Sequence, residues 1–437
     1  MHKHFVRLLE AIKEKKGLGL CSVCSANKYV LHATFKMAIK EREPVLIEST
    51  SNQVDQFGGY TGMNPQQFVN HVYETAAEMD FPLDQLILGG DHLGPNVWQN
   101  ESARAAMAKA RDQIQAYVTA GYRKIHLDTS MRCADDSKDS GAPLDKGIIA
   151  QRTADLCQVA EHAYKSIDAK SHKPVYVIGS DVPIPGGAQE DLSHLQPTSV
   201  EDVALTIAMT KEAFYARGLQ AAWDRVIAVV VQPGVEFGDV TIVEYDREKA
   251  KALSEFIQKY NNLTYEAHST DYQSGKSLRQ MVEDSFSILK VGPWLTFTFR
   301  EAVFALALME KELLDSKKGV LLSDIIKIID DTMLKIPTYW RKHYSGDESQ
   351  IRFLRKYSYS DRVRYFWPSK TIEDTLNRLI KNLEQYPIPL CLISQYLPGQ
   401  YSAIRRGELE NRPTELIYDK ISEVLKIYNF ATRAIKN

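Results

Sequence analysis

Eight short apolar runs, each followed by a stretch of helical periodicity, constrain this chain more than any other feature. They are LGLCSVC (18–24), VLIEST (45–50), LILGGDH (86–92), KIHLD (124–128), VYVIGSD (175–181), VIAVVVQ (226–232), LTYEAH (263–268) and ILKVG (288–292). Runs of this length, rich in β-branched residues, read as buried parallel strands. The helical stretches between them carry their own signals. Asn64 and Pro65 place a cap residue before the residue favoured at the first helical position, and Phe68, Val72, Ala76 and Met79 then share one face. Another stretch runs from Glu101 to about Ala120, with Met107, Ala110, Ile114 and Tyr117 facing inward. Eight strand–helix units predict an α/β fold of the (β/α)8 TIM-barrel type. A doubly wound open sheet would show a GxGxxG turn after its first strand, and none is present. The barrel is expected over 1–315. It begins with an amphipathic helix on Phe5, Leu8, Leu9 and Ile12, and a helical C-terminal region, 316–437, packs on it.

The 437 residues suffice for a large core. At 44% hydrophobic and 25% charged, the chain is not of the disordered class. Its net charge of -2 gives no basic field for nucleic acid, so the ligand is expected in a local pocket. The N-terminus lacks the features of a signal peptide, and no apolar run of about 18 residues exists, so no membrane partner and a cytoplasmic location are expected. Five scattered cysteines suit a reducing compartment. Cys21 and Cys24 form a CxxC, but inside an apolar strand they read as buried packing residues.

In such barrels the chemistry lies at the C-terminal strand ends. Here those ends carry Glu48, Asn52 and Gln53; Asp91, His92 and Asn96; His126 and Asp128; Ser180 and Asp181; Gln232 and Glu236; Glu266, His268 and Asp271; and Lys290 with Gly292. Strand parity puts His126 and Asp128 on one inward face, and Glu266 and His268 on another. Isolated buried charges are costly, so this convergence implies a solvated, ligand-filled or metal-filled mouth. His92, His126, Asp181 and His268 are the candidate ligands of a divalent metal, Zn or Mn, which would act as a Lewis acid. Asp91, Asp128 and Glu266 are the candidate proton-handling groups. Glu48, Asn52, Gln53, Asn96, Gln232, Lys290 and Gly292 are expected to meet a sugar or sugar phosphate. A Schiff base on Lys290 is a lesser alternative to its holding a phosphate. The glycine turns FGGYTG (57–62), QPGVEF (232–237) and KVGP (290–293) offer backbone N–H groups for phosphate. YSYSDRVRYFW (357–367) is either a phosphate or subunit contact or, as we favour, tail packing with solvated arginines. SQYLPGQY (394–401) reads as a turn able to reach the mouth.

CSVCSAN (21–27), VLIESTSNQVDQFGGYTGM (45–63), LILGGDHLGPNVWQ (86–99), KIHLDTSM (124–131), VVQPGVEF (230–237), YEAHSTDYQ (265–273), ILKVGP (288–293) and SQYLP (394–398) together resemble the Z-type subunit of class II tagatose-1,6-bisphosphate aldolase, over almost the whole chain. The resemblance implies a place in tagatose 6-phosphate breakdown, in galactitol or N-acetylgalactosamine catabolism. It also implies a non-catalytic role, supporting the activity and stability of a separate catalytic aldolase subunit. LGGDHLGP further resembles the Asp-His pair of catalytic class II aldolases, where the Asp handles a hydroxyl proton and the His binds zinc, which maps onto Asp91 and His92. Where the family resemblance places a glutamate, this chain has the shorter Asp181. Some relatives act as ketose 4-epimerases, so a metal-dependent epimerase or aldolase (a lyase) stands beside the auxiliary reading. No Walker-type loop supports phosphoryl transfer. A homo-oligomer is compatible with the sequence.

Overall fold

The computed structural model describes residues 1–14, 16–136, 144–167, 172–179 and 195–433. Eight parallel strands close into a barrel in the order β1-β10-β9-β6-β5-β4-β3-β2. They are β1 (Leu20–Cys24), β2 (Val45–Thr50), β3 (Leu86–Leu93), β4 (Lys124–Leu127), β5 (Val175–Gly179), β6 (Val226–Val231), β9 (Thr264–Ala267) and β10 (Ile288–Val291). Each matches one of the eight apolar runs. The remaining two, β7 (Glu236–Phe237) and β8 (Ile242–Val243), form a small antiparallel ribbon after β6 that the sequence did not announce.

The helices start where their caps place them. Asn64 closes a reciprocal capping box with Gln67 ahead of Pro65–Glu78, and Ser102 caps Ala103–Ala120. The N-terminal helix Lys3–Lys13 plugs one end of the barrel. Its Phe5 and Leu8 pack with Leu46, Ile87, Val175, Val177, Ile227 and Ile288 in a dry lower layer. The C-terminal region supplies the helices Ile325–Lys335, Glu348–Tyr357, Lys370–Gln385 and Pro413–Thr432. The last of these packs on Lys28–Glu41, Gly275–Glu283 and Pro293–Leu314, so the chain's end is built into the barrel's helical ring. SQYLPGQY is not a turn. It joins two short helices, Leu390–Tyr396 and Pro398–Arg405, because Pro398 takes a first helical position. No helix among the described residues is long and apolar enough to cross a membrane. All five cysteines are free. Cys21 is partly exposed and Cys24 is buried, as their opposite strand parity requires, so the CxxC is no chelating pair.

The double glycine of LILGGDH serves both faces of β3. A Cβ on Gly89 would meet Glu48 Cγ at 2.7 Å, and one on Gly90 would meet the Tyr117 ring at 2.7 Å. Gly89 thereby leaves room for a charged side chain inside the barrel. Gly89→Ala is expected to destabilise the fold by about 1–3 kcal/mol through overpacking, read as a lower urea midpoint. An unchanged midpoint would mean that Glu48 has room to move.

Candidate functional site at the barrel mouth

The interior above the dry layer is ionic. Lys124 is fully buried and spans two carboxylates, at 2.7 Å from Glu48 Oε1 and 2.6 Å from Glu266 Oε2. Lys290 sits beside them, paired with the other Glu48 oxygen, 3.1 Å from Asp91 Oδ2 and 3.8 Å from Glu266 Oε1. Burial works against the charge of both lysines. The facing carboxylates outweigh it, and both pKa values lie above the ordinary lysine range. Lys290 is therefore an ammonium clamped among carboxylates.

A second layer of imidazoles and carboxylates lies above the lysines. His126 Nδ1 is 2.9 Å from Asp91 Oδ1, and His268 Nε2 is 3.3 Å from Glu266 Oε1 and 3.9 Å from Asp91 Oδ1. One donor atom each from Asp91, His126, Glu266 and His268 all fall within 4.8 Å of one another. Burial alone would raise the Asp91 carboxyl, but Lys290 and the facing imidazoles hold it well below the usual carboxylate range. Glu266 is held low against its own burial by Lys124 and Lys290. Burial pushes the His268 imidazole down to about 4, against the pull of Asp91.

His92 enters by a local distortion. Alternation would send Asp91 and His92 to opposite faces. The β3–β4 register shifts between Gly90 and Leu93, and His92 takes a left-handed φ of 50°, which brings both side chains inward. Its Nδ1 is fixed 2.8 Å from Asp128 Oδ2, while Asp128 Oδ1 accepts from the Ser130 hydroxyl at 2.6 Å. The His92 ring centroid lies 4.7 Å from that of His268. His92 stands outside the four-donor set but presents Nε2 to the same space, 3.8 Å from Asp91 Oδ2. A carboxylate behind an imidazole fixes its ring and tautomer. Asp128→Ala is accordingly expected to weaken metal binding about 10–100-fold with little change in helix content, as measured by chelator competition. Undiminished affinity would remove Asp128 from the site.

Of the other expected residues, Asn52, Gln53 and Gly292 line a neighbouring cavity of about 670 Å³ between the mouth and the C-terminal region. Gln232 Oε1 accepts the N–H groups of Gly234 and Val235. Asn96 is buried in the short helix Pro95–Trp98 and is not in the wall of that cavity. Asp181 lies outside the described residues. Side chains take several N–H groups of the three glycine turns. Asp55 Oδ1 takes the N–H groups of Phe57 and Gly59, Gln232 takes that of Gly234, and Asp271 Oδ1 takes those of Gly292 and Trp294. Arg362 is buried, not solvated, and Arg364 lines the cavity.

Sequence reasoning missed Lys124, although it shares parity with His126 and Asp128. It also missed Cys24, whose thiol joins Glu48 and Asp91 in a second donor group. Burial pushes that thiol above its ordinary range.

The donor set suits a divalent cation. Three carboxylates (Glu48, Asp91, Glu266) face two ammonium groups, and a fourth, Asp128, stands behind His92. Their surplus of negative charge is what a divalent ion would offset. His126 Nδ1 faces Asp91 and takes the backbone N–H of His92 at 3.2 Å, while its Nε2 is buried without a hydrogen-bond partner among the described residues.

Fold and mouth together define a TIM-barrel protein with a buried carboxylate–imidazole centre at its strand ends. The chain belongs to the D-tagatose-1,6-bisphosphate aldolase subunit GatZ/KbaZ-like family, whose sequence model matches residues 5–433. It is 39% identical to a probable tagatose 6 phosphate kinase from Sinorhizobium meliloti 1021, over 95% of this chain and 100% of that one, and the structures agree with a TM-score of 0.85. A fructose-bisphosphate aldolase from Campylobacter jejuni is 15% identical, over 87% of this chain and 92% of that one, with a TM-score of 0.43. The YdjI aldolase from Escherichia coli K12 is 11% identical, over 86% and 96%, also at 0.43. At those scores neither aldolase bears on the chemistry of this chain.

Proposed function

We propose that this chain is a metal-dependent enzyme of aldol chemistry, acting on a ketose or ketose phosphate as a 4-epimerase or aldolase. The observation that carries the reading is the buried donor set Asp91, His126, Glu266 and His268, whose ligand atoms lie within 4.8 Å of one another. A chain that served only as a structural partner would gain nothing from burying four carboxylates, three imidazoles and two ammonium groups at a barrel mouth.

His126, His268 and Glu266 would hold the cation, a zinc or manganese ion, with His92 presented to it by Asp128. Such an ion supplies Lewis acidity toward a ketose oxygen. Asp91, kept ionised by Lys290, accepts the proton of the C4 hydroxyl. The C3–C4 bond then breaks, C4 becomes the aldehyde carbon, and the electron pair stays with the fragment C1–C3. Rotation of the aldehyde by half a turn, re-addition and return of the proton from Asp91 re-form the bond with C4 inverted. Transfer of a proton to C3 of the enediolate, with the proton held by Asp91 returned, and release of the two fragments instead completes an aldolase cleavage.

The family description favours a second reading, in which the chain is the auxiliary subunit of tagatose-bisphosphate aldolase and supports a catalytic partner in tagatose 6-phosphate degradation. One experiment separates them. The purified chain alone, supplied with zinc or manganese, is given carbon-labelled tagatose, fructose and tagatose 1,6-bisphosphate separately and followed by carbon NMR. A C4 epimer or triose products are expected. No conversion of any substrate, with metal shown to be bound, would overturn the enzyme reading and leave the auxiliary one.

A further inference from the structure

We infer that the mouth is built as a two-cation centre, in which the Lys290 ammonium stands in the place of a second divalent ion and Cys24, Glu48 and Asp91 are the ligands of that place. The inference goes beyond the metal reading above and does not depend on it, because the two places share no donor residue but Asp91.

Cys24 Sγ and one carboxylate oxygen each of Glu48 and Asp91 lie within 4.8 Å of one another. That is close to the spread that ligand bonds of about 2.3 Å allow around one ion. All three residues are at most 9% exposed, so water does not compete freely for them. Their place is already filled by a cation. Lys290 Nζ pairs with Glu48 Oε2 and lies 3.1 Å from Asp91 Oδ2. Its charge also draws on the Cys24 thiol, against the larger upward push of burial. Asp91 spans the two places. Its Oδ1 faces His126 at 2.9 Å and His268 at 3.9 Å, while its Oδ2 faces Lys290. A carboxylate with one oxygen on each side is placed as a bridge between two cations is placed.

Charge favours the exchange. An ammonium beside a neutral thiol carries one net positive charge, and so does a divalent ion bound to a thiolate. Removing the ammonium therefore leaves a hole whose charge a divalent ion restores, with the thiol proton passing to solvent as the metal–sulfur bond forms. Glu48 keeps Lys124 on its other oxygen, at 2.7 Å, and so stays in position. Cys24 also lines the neighbouring cavity of about 670 Å³, which gives the ion a way in. The sulfur selects a soft ion over magnesium or calcium.

The test is titration of the full chain with cadmium. Bound ions per chain are counted by equilibrium dialysis, and the thiolate-to-cadmium charge-transfer band is followed in the ultraviolet. Every chain carries Cys391→Ser, since Cys391 is exposed. The chain that keeps Lys290 is expected to show no thiolate band. Lys290→Ala should bind one ion more and show the band, and adding Cys24→Ala should abolish both. Cadmium should also raise the unfolding midpoint of Lys290→Ala, and a variant that folds only with cadmium present would give the same result. Lys290→Gln, which keeps a hydrogen-bond donor for Glu48 and Asp91, carries the measurement if the alanine variant stays unfolded with cadmium. No additional ion, an additional ion without the band, a band that survives Cys24→Ala, or a band in the chain that keeps Lys290 would overturn the inference. The two readings fail separately. A chain that binds no metal until Lys290 is replaced loses the enzyme reading alone. A chain that binds one ion with or without Lys290, and never through sulfur, loses this inference alone.

Discussion

Lys124→Met is expected to destabilise the chain by about 3–5 kcal/mol, the largest single loss of stability that this structure implies. The ammonium is fully enclosed and lies between Glu48 and Glu266, which are equally enclosed. Methionine fills nearly the same volume, so the loss is electrostatic rather than steric. Two carboxylates are left facing one another in a site that water cannot reach, with Lys290 alone to compensate them. Chemical unfolding followed by circular dichroism measures the effect. Glu48→Gln in the same chain should restore part of the loss, because it removes one of the stranded charges. A variant as stable as the parent would show that the ionic layer is not charged as described.

The second large effect falls on metal retention. Chelator-competition titration of His126→Ala and Glu266→Gln should show affinity for zinc or manganese reduced by more than about 100-fold, a greater loss than removing the carboxylate behind His92. His126 is the sharper probe, since its Nε2 has no other partner among the described residues. Glu266 also holds the two lysines, so its variant should lose stability as well as metal. Retention unchanged in both variants would mean that the four-donor set is not a metal site.

The barrel was legible because its strands are apolar runs buried on both sides, and their boundaries follow from composition alone. Parity placed His126, Asp128, Glu266 and His268 at the mouth for the same reason, as His126 and Glu266 lie on inward positions of regular strands and Asp128 and His268 follow at the strand ends. It could not place His92, whose inward direction depends on a register shift and a left-handed backbone, or reveal that Lys124 and Lys290 pair with buried carboxylates. The glycine turns misled because a turn's N–H groups look available until the side chain that takes them is known, as Asp271 shows for Gly292 and Asp55 for Gly59. Arg364 was weighed as a phosphate or subunit contact and set aside for tail packing. It reaches the mouth from more than 300 residues beyond β2, a separation across which sequence patterns carry no geometry.

The claim at the centre of this account is that the mouth breaks and re-forms the C3–C4 bond of a ketose. Conversion of a C4-labelled ketose phosphate in D2O, by the metal-loaded chain alone and followed by carbon NMR, tests it directly. The account predicts a C4 epimer that keeps its original hydrogen on C4, because the aldehyde carbon never exchanges that hydrogen with solvent. Deuterium at C4 of the product, or no product from a chain with its metal bound, would contradict it.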